Sequence, residues 1–441
     1  MRSCHHGRGR WIVFLLALAW LPSALAQSRV IGENIETEQL ANGLRAIVLP
    51  AHDVPVVTVV ALVRGGASLE ARDQRGLAHI TEHMVFQEPV EGTSTGLLPQ
   101  TIEALGGEIR AETSADSTRY IATVAPDGMP EAMSALGIAL GDPTFTPTRL
   151  RAELEIMEKE LDEVYASPIV ALRGAATKAI YGDGPYARSA GGGPDDLPSY
   201  SVADVEAFHA AHYVGSNMAV VVVGDVETAD AFAAVEEAFG EIPAGQPQVP
   251  AMASPPETPA TTLSAPGAEP LVGLVFVAPG MDHPRDVLAT DVLLGILEHG
   301  PTSRMRTQLP RALPGIGAVG AGYLTQRLPG HLYLWIDPGQ ASAENCIGVL
   351  KSILADIRDN GVSHEECLKG ARSALLMHAI GADTYTSQAE SLAFYEAIDS
   401  YRFAVEYEDR VLTVVPGDVQ DLVARYFDPD HALVVVGGDG P

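Results

Sequence analysis

The stretch Asn217-Met218-Ala219-Val220-Val221-Val222-Val223-Gly224-Asp225 returns near the C-terminus as His431-Ala432-Leu433-Val434-Val435-Val436-Gly437. Each copy follows a tyrosine, and Tyr213 to Gly224 and Tyr426 to Gly437 both span eleven residues. A short, unbroken, β-branched run closed by glycine is the pattern of a strand buried on both faces. Upstream, Asp204-Val205 leads into the first copy through a helix, with Ser201 placed as its N-cap. Asp418-Val419 leads into the second copy in the same way. A helix and strand that recur in the same order indicate a duplicated unit. The expected fold class is therefore α+β: two homologous domains, each a sheet packed with helices.

Working outward, residues 243–270 change character, with Pro243, Pro247, Pro255, Pro256, Pro259 and Pro266 in close succession. Such chain builds no packed core and reads as a linker. It divides a first domain, 27–242, from a second, 271–441. In the first domain, Asn42-Gly43 between two apolar runs is a hairpin signal. Strands are expected at 56–63, 109–113 and 119–125, and helices at 76–86, 99–105, 129–140 and 148–165. In the second, a strand is expected at 271–277 and helices at 342–359 and 363–378.

The 441 residues include 28 Lys+Arg against 57 Asp+Glu, a net charge of −29. That balance argues against nucleic acid, whose phosphates need clustered cations to displace counterions. A hydrophobic fraction of 46% is too high for a disordered chain. Three cysteines are too few for a disulfide scaffold or a multi-cysteine metal framework. Residues 1–26 read as an export signal: Arg2, Arg8 and Arg10, an apolar run from Trp11 to Leu21, then Ala24-Leu25-Ala26 before Gln27. The apolar run is short for the roughly 20 residues of a membrane span, and no second one follows, so no stable membrane anchor is expected. Cys346 and Cys367 would remain after cleavage, either paired or as buried thiols.

The chemistry is concentrated in His79-Ile80-Thr81-Glu82-His83. Histidines at i and i+4 lie one turn apart on one helix face and can converge on one ion, with Glu82 beside them. This is the inverted order of a zincin helix. Alone, the pentapeptide also fits a surface helix with incidental His and Glu. A catalytic zinc site wants a third protein ligand and one open position. The helix around Glu153-Leu154-Glu155-Ile156-Met157-Glu158-Lys159-Glu160 offers carboxylates for it, with Glu153 and Glu160 on one face.

His79-Ile80-Thr81-Glu82-His83-Met84, with Glu160 placed 77 positions after His83, resembles the M16 metallopeptidases, the pitrilysin, insulin-degrading and mitochondrial-processing peptidase group. The segment 153–164 resembles that family's second ligand helix, 106–114 its substrate strand, and 181–193 the loop before a capped helix. The duplication resembles its paired domains, and the length its half-size, exported bacterial members. The resemblance implies a mitochondrial-processing-peptidase-like metallohydrolase fold and one Zn2+ per chain held by His79, His83 and Glu160. It implies that Glu82 is the general base for the metal's water and that Glu153 orients the site, its alternative being a solvated helix carboxylate. It further implies that a peptide adds as a strand beside 109–113, touching Arg110, Ala111 and Glu112.

Two positions depart from the family pattern. Arg110 stands where the family commonly has Asn, either pointing to solvent or favouring acidic peptides. The family's facing half carries an Arg and a Tyr seven residues apart, and Pro310 and Gly317 occupy those positions here. Arg311 and Tyr323 lie nearby at other spacings. A heterodimer is therefore expected, with an M16-like partner supplying Arg and Tyr; the alternative is a homodimer using Arg311 or Tyr323. The expected function is exported, periplasmic, zinc-dependent endopeptidase cleavage of unfolded or short peptides. Its alternatives are a non-catalytic peptide-binding or scaffold subunit, or a peptidase dedicated to one precursor. His209 with His212, and Glu298 with His299, are weaker metal candidates, and Gly191-Gly192-Gly193 lacks the Lys and Ser/Thr of a phosphate loop.

Overall fold

The computed structural model describes residues 30–32, 34–71, 73–87, 97–165, 167–187, 200–250, 256–265 and 270–438. Residues 1–26, read as an export signal, and Gly191-Gly192-Gly193 lie outside the described residues. In the first half the strands are β1 (Glu36–Gln39), β2 (Arg45–Pro50), β3 (Val57–Val63), β4 (Glu108–Thr113), β5 (Thr118–Val124) and β6 (Met218–Gly224). Its helices are α1 (Leu77–Phe86), α2 (Leu98–Ala104), α3 (Met129–Gly141), α4 (Pro147–Tyr165), α5 (Pro168–Tyr181), α6 (Val202–His212) and α7 (Thr228–Phe239). The second half has β7 (Thr262–Ala265), β8 (Leu271–Ala278), β9 (Val319–Leu324), β10 (Gly330–Ile336) and β11 (Leu433–Gly437). Its helices are α8 (Pro284–Leu297), α9 (Arg304–Ala312), α10 (Ala343–Asn360), α11 (His364–Ile380), α12 (Tyr385–Ile398), α13 (Arg402–Val411) and α14 (Pro416–Tyr426).

The two sheets run β1-β2-β6-β3-β5-β4 and β7-β11-β8-β10-β9. After β1 they match strand for strand. β2 with β6 and β7 with β11 are the parallel pairs, and the other neighbours are antiparallel. The repeated valine runs are β6 and β11. The duplicated α+β architecture read from them is present.

Every residue of β6 is buried, because side chains alternate between two apolar layers. Val220 and Val222 join the core beneath α1, α3, α6 and α7. Val221 and Val223 pack with Ile47, Leu49 and Val60 against Ala389, Leu392 and Ala393 of α12, a helix from the other half. The exchange is mutual: Ala176, Ile180 and Tyr181 of α5 pack on Leu271, Val275, Leu433 and Val435 of the second sheet. Each half therefore covers the other's sheet.

The seam also carries charge. Glu396, its side chain 1% exposed, accepts from Arg45 at 3.1 Å and Arg64 at 2.6 Å, and from the Tyr401 backbone at 3.2 Å.

Within the stretch read as a linker, Thr262–Ala265 form β7, the second sheet's counterpart of β2. Four residues set in proline-rich chain are too short a run to read as a strand on their own; their pairing with β11 makes them one. Cys346 and Cys367 are both buried and free. Among the described residues no helix is long and apolar enough to cross a membrane.

Candidate metal and catalytic site

Helix α1 starts at Gly76, whose φ of 84° suits glycine. Its first amides are met by a buried carboxylate: Glu70 accepts from Gly76 N at 3.1 Å and Ala78 N at 2.9 Å. A carboxylate here satisfies orphan donors and the positive end of the helix together. Glu70 thus fixes where α1 begins, and sequence reading had given it no role.

One turn into α1, His79 and His83 face each other with Nε2 atoms 3.2 Å apart and rings nearly perpendicular, at 83°. Glu160 of α4 reaches the same point, its Oε2 3.4 Å from His83 Nε2 and 3.9 Å from His79 Nε2. Ligand atoms of His79, Glu82 and His83 all lie within 4.8 Å of one another, the one such group of three among the described residues. Glu153, two turns before Glu160 on α4, is buried and sits 3.2 Å from His83 Nδ1. With the Nδ1 proton directed to Glu153, His83 keeps its Nε2 lone pair for a metal. His79 Nδ1 is buried without a partner among the described residues. Two imidazoles and a carboxylate converging from two helices fit the donor set of a catalytic zinc.

The protonation pattern follows from burial and charge. Burial, with His83 alongside, pushes the His79 imidazole down to about 4, so it stays neutral. For His83 burial works downward, but the Glu153 hydrogen bond and the charges of Glu82, Glu160 and Glu153 together hold it above its ordinary value. Burial pushes the Glu82 carboxyl up to about 7, opposed by a hydrogen bond from Thr113 and by His83. A base poised near neutrality is matched to proton transfer at physiological pH.

β4 is the outer strand of its sheet. Ile109, Ala111 and Thr113 turn toward α1, and Thr113 Oγ1 donates to Glu82 Oε2 at 2.6 Å. Arg110 and Glu112 turn the other way, toward α12. Arg110 pairs with Glu112 at 3.2 Å and with Glu390 of α12, and Glu112 pairs in turn with Arg119. Arg110 is thus half exposed but not a free cation, and the carboxylates beside it offset the charge expected to favour acidic peptides. Ala111 lies opposite Tyr120 of β5.

The weaker candidates form no such group. His209 Nε2 bonds the Leu140 carbonyl at 2.9 Å, and His212 packs on Phe208. Glu298 is paired with Arg306, and His299 Nδ1 lies 3.2 Å from Ser373. A cavity of about 610 Å³ in the second half, lined by Val277, Pro279, His283, Arg425 and Tyr426 among others, shares no residue with the metal-type cluster.

A family model described as insulinase, peptidase family M16, matches residues 46–192, and one described as the peptidase M16 inactive domain matches 199–375. The chain belongs to peptidase family M16. The inactive-domain match begins just before α6 and runs into α11, so the second half falls largely within it. Among similar proteins, one named zinc protease PqqE of Helicobacter pylori is 25% identical over 282 residues, 62% of this chain and 63% of that one. The mitochondrial-processing peptidase subunit beta of Blastocladiella emersonii is 26% identical over 48% of this chain and 45% of its own. The chain thus spans less than two thirds of the length of these relatives. A crystal structure described as a protease from Helicobacter pylori superposes with a TM-score of 0.81 at 20% identity, covering 91% of this chain and 99% of that one. A Pseudomonas fluorescens structure described as a peptidase M16 inactive domain gives 0.81 at 20% identity over 92% and 98%. At this identity the two structures establish the shared fold.

Proposed function

We propose that this M16 chain is an exported, zinc-dependent endopeptidase for unfolded or short peptides, acting as the active subunit of a two-subunit chamber. The observation that carries the reading is the convergence of His79, His83 and Glu160 with Glu82 beside them. Zinc held by His79, His83 and Glu160 would supply Lewis acidity for a scissile carbonyl and for water. Glu82 then takes the proton of the attacking water. Glu153 holds His83 in the tautomer and orientation that metal binding needs. The free edge of β4 accepts the peptide as an added strand through main-chain hydrogen bonds, which suits varied sequences. The basic, apolar and small-residue order of residues 1–26 supports export, with a periplasm as the destination.

The two-subunit part rests on the far half. Pro310 lies within α9, and a Cβ at Gly317 would overlap the Asp337 carboxylate. Neither place presents a cation or a phenol. Of the nearby substitutes, Tyr323 donates its hydroxyl to the Pro279 carbonyl at 2.5 Å. These observations favour a partner that brings its own Arg and Tyr over a homodimer.

The test is peptide cleavage by the zinc-loaded mature chain, alone and mixed with an M16-like subunit carrying that pair, with Glu82→Gln as control. Cleavage confined to the mixture and abolished by Glu82→Gln is the expected result. Cleavage by the chain alone would refute the obligate heterodimer, and silence in every combination with zinc bound would refute the peptidase.

A further inference from the structure

Behind Glu82 stands a file of buried hydroxyls that general-base chemistry does not by itself call for. Thr113 and Thr118 face each other as the last pair of the β4–β5 ladder, their Oγ1 atoms 3.1 Å apart. Beyond Thr118 lies the hydroxyl of Tyr213, at the C-terminal end of α6, close enough to the Thr118 side chain to be polarised by it. The Tyr213 hydroxyl in turn sits 2.9 Å from that of Tyr120 on β5. Thr118, Tyr120 and Tyr213 are all buried. Burial first, with the charge of Glu82 adding to it, holds both phenols above their ordinary range, so they remain protonated donors.

The direction of this file is set at its inner end. A carboxylate only accepts, so Thr113 spends its single proton on Glu82 Oε2. Thr118 must then donate to Thr113, and the Tyr213–Tyr120 hydroxyl pair lies behind Thr118. Each donor polarises the next, strengthening the bond that reaches Glu82. Packing alone would be served as well by Val at 118 and Phe at 120 and 213, which fill similar volumes without needing partners.

We infer that Thr113 is a positioning residue for Glu82, and that the Thr118 hydroxyl, backed by the Tyr213–Tyr120 pair, forms the relay that fixes its donor direction. With Oε2 held, Glu82 is kept from swinging away from the histidines, and Oε1 is left to receive a proton. Thr113 also ends the strand whose free edge would take the peptide, so one strand sets the place of both base and substrate. This inference rests on Glu82 acting as the base.

The experiment compares wild type, Thr113→Val, Thr113→Ser and Tyr213→Phe as zinc-loaded chains, with the partner subunit where cleavage requires it. Steady-state cleavage of a quenched-fluorescence peptide gives kcat and KM, and zinc content and Tm are measured on the same samples. Displacement of a reacting group by about 1 Å costs about a hundredfold in rate, so Thr113→Val is expected to lower kcat by roughly ten- to a hundredfold. KM and zinc content should stay unchanged, Thr113→Ser should recover most of the rate, and Tyr213→Phe should give a smaller loss in kcat alone. A readout independent of cleavage is the Tm of Glu82→Ala, Thr113→Val and the double variant, expected to be non-additive because each single change strands the other group. An active wild type with unaltered kcat in Thr113→Val would overturn the inference, as would a loss accompanied by lost zinc, or additive Tm shifts. If Thr113→Val does not fold, Tyr213→Phe decides: an unchanged kcat overturns the relay. A wild type silent in every combination would instead refute the peptidase reading, and the inference with it.

Discussion

His331 is the sharpest test of how the two halves are held together. It lies on β10 opposite Val277, 2% exposed, between the rings of Tyr181 from α5 and its own neighbour Tyr333. Both ring nitrogens are buried without a partner among the described residues. Burial, helped by the nearby Arg173 charge, pushes its imidazole down to about 4. The sign follows from proton counting. Between its ordinary value and about 4 the unfolded chain binds a proton that the native chain refuses, so stability is full at neutral pH and is lost as pH falls. A shift of this size corresponds to about 3.4 kcal/mol at full protonation, of which about 2 kcal/mol is lost between about pH 7.5 and about pH 5. His331→Leu keeps the volume, removes two unpaired polar atoms and removes this titration. Urea unfolding followed by circular dichroism across that pH range should find the variant at least as stable at neutral pH. Its advantage should grow by about 2 kcal/mol at the acid end. All other titrating groups are common to both proteins and cancel in the difference. Parallel stability curves, or a variant less stable throughout, would refute the reasoning.

Three further outcomes are expected. Glu153→Ala should weaken zinc binding roughly ten- to a hundredfold in competition with a chelator, because His83 loses the carboxylate that orients it; unchanged affinity would make Glu153 an ordinary helix acid. Glu396→Ala strands the Arg64 guanidinium in the seam and should cost about 3–5 kcal/mol in denaturant unfolding, whereas a loss below about 1 kcal/mol would mean water replaces the carboxylate. Glu70→Ala leaves the Gly76 and Ala78 amides unpaired and should cost about 1–3 kcal/mol, with zinc affinity falling alongside as α1 frays; a loss of stability without a change in zinc affinity would separate the cap from the site.

The sequence was most legible where chemistry and periodicity coincide. His79, Glu82 and His83 share a helix, so their convergence is a property of helical spacing, and β6 and β11 announced the duplication by their valine runs. Legibility ended where partners come from distant chain. Nothing in the apolar pattern of α5 or α12 says that each covers the sheet of the other half, since a helix stripe names a face and not what it packs against. β7 was hidden for a related reason: the duplication requires a counterpart of β2, but the four residues that supply it sit in proline-rich chain. Thr113 lay inside the quoted substrate strand, and alternation from Ala111 would have turned it toward α1. Its bond to Glu82 depends on where α1 docks on the sheet.

Arg110 shows most clearly what the second half contributes. Read along the first half alone, it is a cation beside a peptide-binding edge. In the fold, α12 lies along the opposite face of that sheet and places Glu390 against it. The same helix ends with Glu396 between Arg45 and Arg64. One helix from the half without the histidine motif therefore both fastens the seam through a buried carboxylate and sets the charge along the outer strand. Changes in the second half can then alter how β4 meets a peptide without touching His79, His83 or Glu82. Glu390→Gln isolates that influence: it removes one of the two carboxylates on the Arg110 guanidinium, leaving Glu112, while Glu396 and the seam stay in place. Cleavage of paired peptides differing by one Asp-to-Asn change should shift toward the acidic member, with Tm nearly unchanged because the pair is partly exposed. An unchanged preference would mean that Arg110 does not face the bound peptide.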